Sequence, residues 1–520
     1  MVRSPLHSPP AKTFVLALVV GVLSLGLASC DSSDPLDVQD PNRLTPESFW
    51  KSAEDAKKGV MATYGPLTTI QGWGRMMGAI LTIHRGDIVD VNPQPNVYDT
   101  GTFTVGPSLP RLEEGWSELF AIVARSNQVL ANVPDIEMEQ DLKDRYIGEA
   151  HFLRGLAYFY LVNMWRNVPL YTSAITNPDD VNIAQADPAE VWSLIKSDFT
   201  SAQSLLPETV PQAEKGRATW GAATAMLGKA HLYTEEWSAA ATEFRKVIDS
   251  GRYELTDDYQ DNFSRDHLNN EESVFELQYQ NSPNGNWGRS GTENPMRGQA
   301  WEPDIAPPGF TSQQSVTIND WVFELFMEDE TVSGETDPRA FATLLWDYNN
   351  AKVYQTTFDA AFSGEAQNEV YARKYLNFER QSALVPGSWA WSNNNYRMIR
   401  FADVLLMYAE AKNEADGPTS EAYSALNRVR RRANMPDVQS GLSQGQLRSE
   451  IREERVRELA IEGHRHLDLL RWGIMADRFI NNPELRENAG MNFERNKNEL
   501  LPIPQNDIDS NPKLEQNPGY

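Results

Sequence analysis

The stretch EAHFLRGLAYFYLVNMW, residues 149–165, decides the fold class. Ala150, Leu153, Ala157, Tyr160, Leu161 and Met164 recur at three- and four-residue steps, so they share one face of a helix. Asn167-Val168-Pro169 ends it, because proline cannot continue the hydrogen-bond ladder. Asp187-Pro188-Ala189-Glu190 opens the next helix, with Asp187 as N-cap, Pro188 in the first turn and Glu190 completing a capping box.

The same period recurs along the chain. Over residues 217–250, Leu227-Gly228 and then Ala240 and Phe244 match the tetratricopeptide pattern of large-small on one helix and Ala-x3-Phe on the next. Gly228 lets the helices approach and Phe244 fills the space between them. His231 stands where that pattern has an aromatic, and no proline follows. Residues 400–415 and 420–433 form a second pair of similar size, broken by Asp416-Gly417-Pro418. Residues 447–472, LRSEIREERVRELAIEGHRHLDLLRW, carry a Val456/Leu459/Ala460/Gly463 stripe among Arg and Glu at helix-neighbour spacings, which reads as a solvated, salt-bridged face. No linker divides the chain. The fold class is mainly α: tetratricopeptide-like helix pairs as a scaffold, with a large irregular, loop-rich half.

That half is carried by residues 278–310 and 382–396, rich in Asn, Gly, Ser, Pro and Trp and without a period. Long loops in a compact domain are commonly functional.

The N-terminal 30 residues decide location. Arg3 and Lys12 precede an apolar run over residues 14–27, shorter than the roughly 20 residues that span a bilayer. It ends in Leu27-Ala28-Ser29-Cys30, similar to a bacterial lipobox. Residues 1–29 therefore read as a signal peptide, Cys30 as the acylated N-terminus, and residues 30–40 as a lipidated, acidic tether. Cys30 is the only cysteine of the 520 residues, which excludes disulfides, a cysteine nucleophile and a thiolate metal site. Removing residues 1–29 takes away Arg3 and Lys12 and no acid, so the net charge of −26 becomes −28. That balance argues against nucleic-acid binding.

In these motifs the chain resembles the SusD/RagB family of outer-membrane nutrient-binding lipoproteins. EAHFLRGLAYFYLVNMWRNVPLY resembles the family's first strong helix. MIRFADVLLMYAEAKNEA…ALNRVRRRANMP is similar to its paired helices, and IREERVRELAIEGHRHLDLLRWG to its Glu-Arg-rich segment. The final LLPIPQNDIDSNPKLEQNPGY matches its C-terminal signature. The resemblance implies one SusD-like domain over residues 41–520, with an N-terminal part to about 235 and a RagB/SusD part from about 236. It also implies a glycan or peptide ligand, a SusC-like TonB-dependent transporter as partner, and a lipid anchor in the outer membrane facing the exterior. Arg154, Arg400, Arg455, Asp468, Arg471 and Trp472 lie in structural signatures and are expected to bind one another and backbone carbonyls.

Ligand residues are argued from chemistry. Aromatic rings stack on the C–H faces of sugars, while amides, carboxylates and guanidiniums meet the hydroxyls. The candidates are Trp73, between glycines that would let its ring protrude, with Arg75 beside it; Asn96 and Tyr98; and Trp287, Trp301, Trp389 and Trp391 in the irregular stretches. An adaptor that binds only protein partners is the rival reading. A glycosidase needs two carboxylates at a set separation, and no motif marks such a pair. No cofactor motif is present. His464-x-His466 has no evident third ligand and reads as packing.

Overall fold

The computed structural model of the chain describes residues 49–91, 98–280, 298–310, 316–376 and 392–520. Residues Lys51–Tyr520 form one unit. Its N-terminal half contains α1 (Ala53–Thr68), β1 (Val89–Val91), α2 (Pro110–Asn132), α3 (Gln140–Trp165), α4 (Pro188–Leu205), α5 (Trp220–Tyr233) and α6 (Trp237–Asp249). Then come β2 (Ser273–Leu277), β3 (Val316–Ile318), α7 (Asp320–Glu328), β4 (Tyr396–Arg400) and α8 (Phe401–Asp416). Next come α9 (Ser420–Arg432), α10 (Gln444–Leu459), α11 (Arg465–Arg471) and α12 (Met475–Asn481), with two short helices, Pro483–Glu487 and Gln505–Ser510, after them. The fold is mainly α.

The helix over residues 149–165 begins earlier, at Gln140, and is buried on more than the one face its spacing marks. Phe152, Leu156, Tyr158 and Phe159 are buried together with Leu153, Leu161 and Met164. The cause is position: α3 is packed between α2 and α4, so a helix apolar nearly all round is satisfied. At the start of α4, Asp187 Oδ1 accepts the Ala189 amide at 2.8 Å, behind Pro188.

The helices then pack in succession, α4 on α5, α5 on α6, α6 on α8, and α8 on both α9 and α10. Gly228 and Phe244 meet as the tetratricopeptide pattern requires. A Cβ on Gly228 would lie 2.7 Å from a Phe244 ring carbon. Strands serve only as ties: β1 pairs antiparallel with β3, and β2 with β4.

Residues 447–472 differ from expectation in two ways. The helix stops at Leu459 and restarts at Arg465, because Ile461 and Gly463 both take positive φ. A Cβ on Gly463 would lie 2.8 Å from the Thr82 hydroxyl oxygen, so only glycine fits that turn. Many of the charges, moreover, are buried and not solvated. Glu454, Arg455, Arg457, Glu458 and Glu462 are all inside. Arg400 joins Glu272 at 2.6 Å and Glu462 at 2.8 Å, and also binds Glu458, which Arg339 and Arg432 share. Burial opposes ionisation of Glu458, but Arg432, Arg400 and Arg339 outweigh it and hold its pKa well below the ordinary range. Arg455 bridges Asp403 and Asp468, while Arg471 and the Trp472 indole both donate to Glu410. Arg154 makes two bonds to Asp198 and one to the Thr172 carbonyl. The scaffold role expected of these residues is what the contacts describe.

Candidate functional site

The described candidates Trp73, Arg75, Tyr98 and Trp301 come together in one place. After α1 the backbone folds back on itself: the Trp73 amide donates to Leu67 O, Gly74 to Thr69 O and Met76 to Ile70 O, at 2.9–3.0 Å. A Cβ on Gly72 would sit 2.0 Å from the Pro66 carbonyl oxygen. The glycine is therefore needed for close backbone approach. It does not free the neighbouring ring. Trp73 turns inward, 1% exposed, with its ring edge-on to Tyr160 of α3 at 4.7 Å. The expectation that it protrudes is corrected on this ground.

Trp301 is likewise fully buried. Its indole donates to the Trp73 carbonyl at 2.8 Å, and its ring meets Tyr375 and Tyr396 at 4.9 and 4.8 Å. A Cβ on Gly78 would lie 2.3 Å from that ring, so a glycine makes the slot it occupies. Arg75 Nε and Nη2 donate to Asp304 at 2.6 and 2.7 Å, and the Tyr98 hydroxyl adds a third bond to Asp304 at 3.1 Å. Burial works against the Arg75 charge, but Asp304 outweighs it and raises the guanidinium pKa. In this arrangement all four are core residues, and none presents a face to solvent.

What the cluster can do is hold loops. Ala300 N donates to Gly74 O at 2.8 Å. Gln299 and Ser392 exchange two backbone bonds at 2.7 and 2.8 Å, and the Tyr279 amide donates to Asn395 Oδ1 at 2.8 Å. Tyr98, Tyr279, Gln299 and Ser392, which lie beside segments 92–97, 281–297 and 377–391 in the chain, are all held by these contacts. Asn96, Trp287, Trp389 and Trp391 lie within those three segments, outside the described residues, as does Cys30.

Sequence reasoning missed a groove of about 570 Å³ on α2, where Trp116 and Phe120 stand one helical turn apart and Tyr171 and Leu514 close the sides. Burial raises the carboxyl pKa of Asp507 at its edge, with a Trp116 hydrogen bond opposing the rise. The Trp116/Phe120 spacing was the available signal, but the walls come from three distant parts of the chain. His464 and His466 are buried. Among the described residues no group of three or more His, Cys, Asp or Glu could hold a metal, and no helix is long and apolar enough to cross a membrane.

The described residues form a helical scaffold whose distant segments are tied together by one buried aromatic and ionic cluster. Residues 271–520 match the SusD family model, and residues 108–232 match the model described as starch-binding, associating with outer membrane. The chain belongs to the SusD/RagB family, a carbohydrate-binding family associated with the outer membrane and not a known family of enzymes. The SusD-like protein P25 of Formosa agariphila is 27% identical over 521 residues, covering 94% of this chain and 95% of that one. A SusD superfamily protein from Bacteroides vulgatus has the same fold, with a TM-score of 0.80 at 26% identity, over 91% of this chain and 100% of that one. A laminarin-binding SusD-like protein gives 0.73 at 26% identity, with the same coverage.

Proposed function

We propose that this chain is a lipid-anchored, outward-facing protein that captures a glycan and passes it to a SusC-like TonB-dependent transporter. The observation that carries this reading is the likeness to the laminarin-binding protein over that protein's whole length. In this proposal Cys30 bears the acyl chains, and residues 31–37 form the tether. The ligand is met by side chains of segments 92–97, 281–297 and 377–391, with Asn96, Trp287, Trp389 and Trp391 as contacts. Trp73, Arg75, Tyr98 and Trp301 act from beneath, holding the residues beside those segments in place.

Calorimetry of the form beginning at Asp31, against laminarin, starch oligosaccharides and peptides, tests capture. Binding to a glycan is expected; a folded protein that binds no glycan would leave the adaptor reading. Co-purification of the full chain with a TonB-dependent barrel tests delivery. For the anchor, C30S should move the protein from the membrane to the soluble fraction, and an unchanged membrane fraction would refute lipidation at Cys30.

A further inference from the structure

A second concavity, of about 510 Å³, lies between α7, α10 and the turn after α11. Trp321 and Trp472 stand in its wall, both half-buried. The Arg478 guanidinium carbon lies 4.6 Å over the Trp321 ring, and that of Arg452 lies 4.5 Å over Trp472. Arg465 sits between them, 5.4 and 5.7 Å from the two rings.

Arg465 and Arg478 share one buried carboxylate, Asp87, at 2.6 and 2.7 Å. Arg452 differs from its neighbours on α10. Arg448 pairs with Glu414, and Arg455 with Asp403 and Asp468. Among the described residues no carboxylate lies within ion-pair distance of Arg452; its Nε is buried without an acceptor, as is Nη2 of Arg478. Arg452 is half-buried and lines the concavity without a carboxylate partner, so the open part of its guanidinium is available to an incoming acid group. A guanidinium already stacked on an indole also loses little freedom on binding. The rim carries Glu324, Glu328 and Glu453, all exposed, which confines a bound acid group to the arginine side of the pocket.

We propose that this pocket binds the carboxylate of a uronic-acid sugar, with the oxygens on the Arg452 guanidinium and the sugar in the concavity between α7 and α10. The planar carboxylate suits the guanidinium fork, which the Trp472 indole beneath Arg452 holds in place. That the ligand is a saccharide rests on the capture reading above; that it carries a carboxylate rests on the pocket alone.

The test uses calorimetry of the chain from Asp31 with galacturonic acid, trigalacturonate and their neutral galactose counterparts. The wild-type protein is expected to bind trigalacturonate, less tightly at about 0.5 M salt. R452Q should weaken that binding about tenfold or more, since it removes a charged hydrogen-bond donor, and R452K should restore part of it. Quenching of indole fluorescence by trigalacturonate in the wild type gives a readout independent of variant folding. Free galacturonic acid binding as tightly as the trimer would identify one acid unit as the ligand; tighter binding of the trimer would identify the polymer. Either result supports the pocket. Absence of binding by both uronates, or equal affinity in R452Q, overturns it. Neutral-glycan binding without uronate binding would strike this inference alone. Uronate binding without neutral-glycan binding would strike the loop site and leave the pocket standing.

Discussion

Arg75 and Asp304 are 229 residues apart in the chain and form a doubly hydrogen-bonded ion pair of 2.6 and 2.7 Å, nearly sealed from water. Tyr98 donates to the same carboxylate, and Trp301, three residues before Asp304, donates to the carbonyl of Trp73, two residues before Arg75. Two distant irregular segments are thereby fixed to one another before any surface loop begins.

Removing one member of a buried pair leaves the other charge without compensation, at a cost of about 3–5 kcal/mol. R75M and D304L are each expected to lower unfolding free energy by that order, and the double variant by less than their sum. Y98F, which loses one bond to a charged acceptor, should cost about 2 kcal/mol. Urea unfolding of the four proteins checks the ranking; additive losses would show that the pair is not coupled.

The glycines give a second, steric prediction. The Gly72 Cβ position lies 2.0 Å from backbone, which cannot yield locally, whereas that of Gly228 faces the Phe244 ring at 2.7 Å. Overpacking typically costs about 1–3 kcal/mol. G72A should reach or exceed the top of that range, and G228A should fall within it. Gly106 has nothing within 4 Å of its Cβ position, so G106A should change the melting temperature little. Thermal melts of the three variants decide the order.

These contacts also mark what could be read from sequence. Helix positions were legible because period and caps are local: Asp187 caps α4, and Gly228 meets Phe244 across α5 and α6. Gly72 was misread because glycine gives both freedom and closeness, and only the Pro66 carbonyl, brought near by the fold, distinguishes them. The burial of Trp73 and Trp301 depends on partners far along the chain: Tyr160 lies 87 residues from Trp73, and the Trp301 indole reaches the Trp73 carbonyl across 228 residues. The Arg/Glu run over residues 447–472 resembled a solvated face, because i,i+4 spacing is the same whether water or Arg400 lies beyond it.

Acid should lower the stability of the protein over two pH windows. Burial lowers His464 to about 4, with Lys229 and Arg455 adding to the effect against Asp403 and Glu462, and burial lowers His84 to about 4 as well. Unfolded histidine titrates near 6.5. The unfolded state therefore takes up protons first, and stability present above pH ~6.5 is lost as pH falls towards 4, by about 3 kcal/mol per histidine. Burial resists ionisation of Asp468, yet Arg455 and Arg471 hold its pKa at about 2, so its contribution is present above pH ~4 and lost as pH falls towards 2. Denaturant midpoints at several pH values should fall through the first window. H464Q should flatten that fall; an unchanged slope would exclude His464 as a source.

The last prediction separates foundation from ligand contact. Trp73 and Trp301 are packed on all sides, and truncating a buried tryptophan typically costs about 3–5 kcal/mol. W73A and W301A should therefore lower the melting temperature sharply, and any loss of glycan affinity should follow the loss of folded protein. Trp287, Trp389 and Trp391 are proposed as direct contacts, for which removal of a stacking ring costs binding and little else. W287A, W389A and W391A should each keep a near-wild-type melting temperature, and at least two should weaken glycan binding about tenfold, as expected for loss of an aromatic anchor. Calorimetry and thermal melts on the same five preparations give both readouts. If binding survives all three loop substitutions, the ligand is held elsewhere, and the Trp116–Phe120–Tyr171 groove becomes the next surface to test.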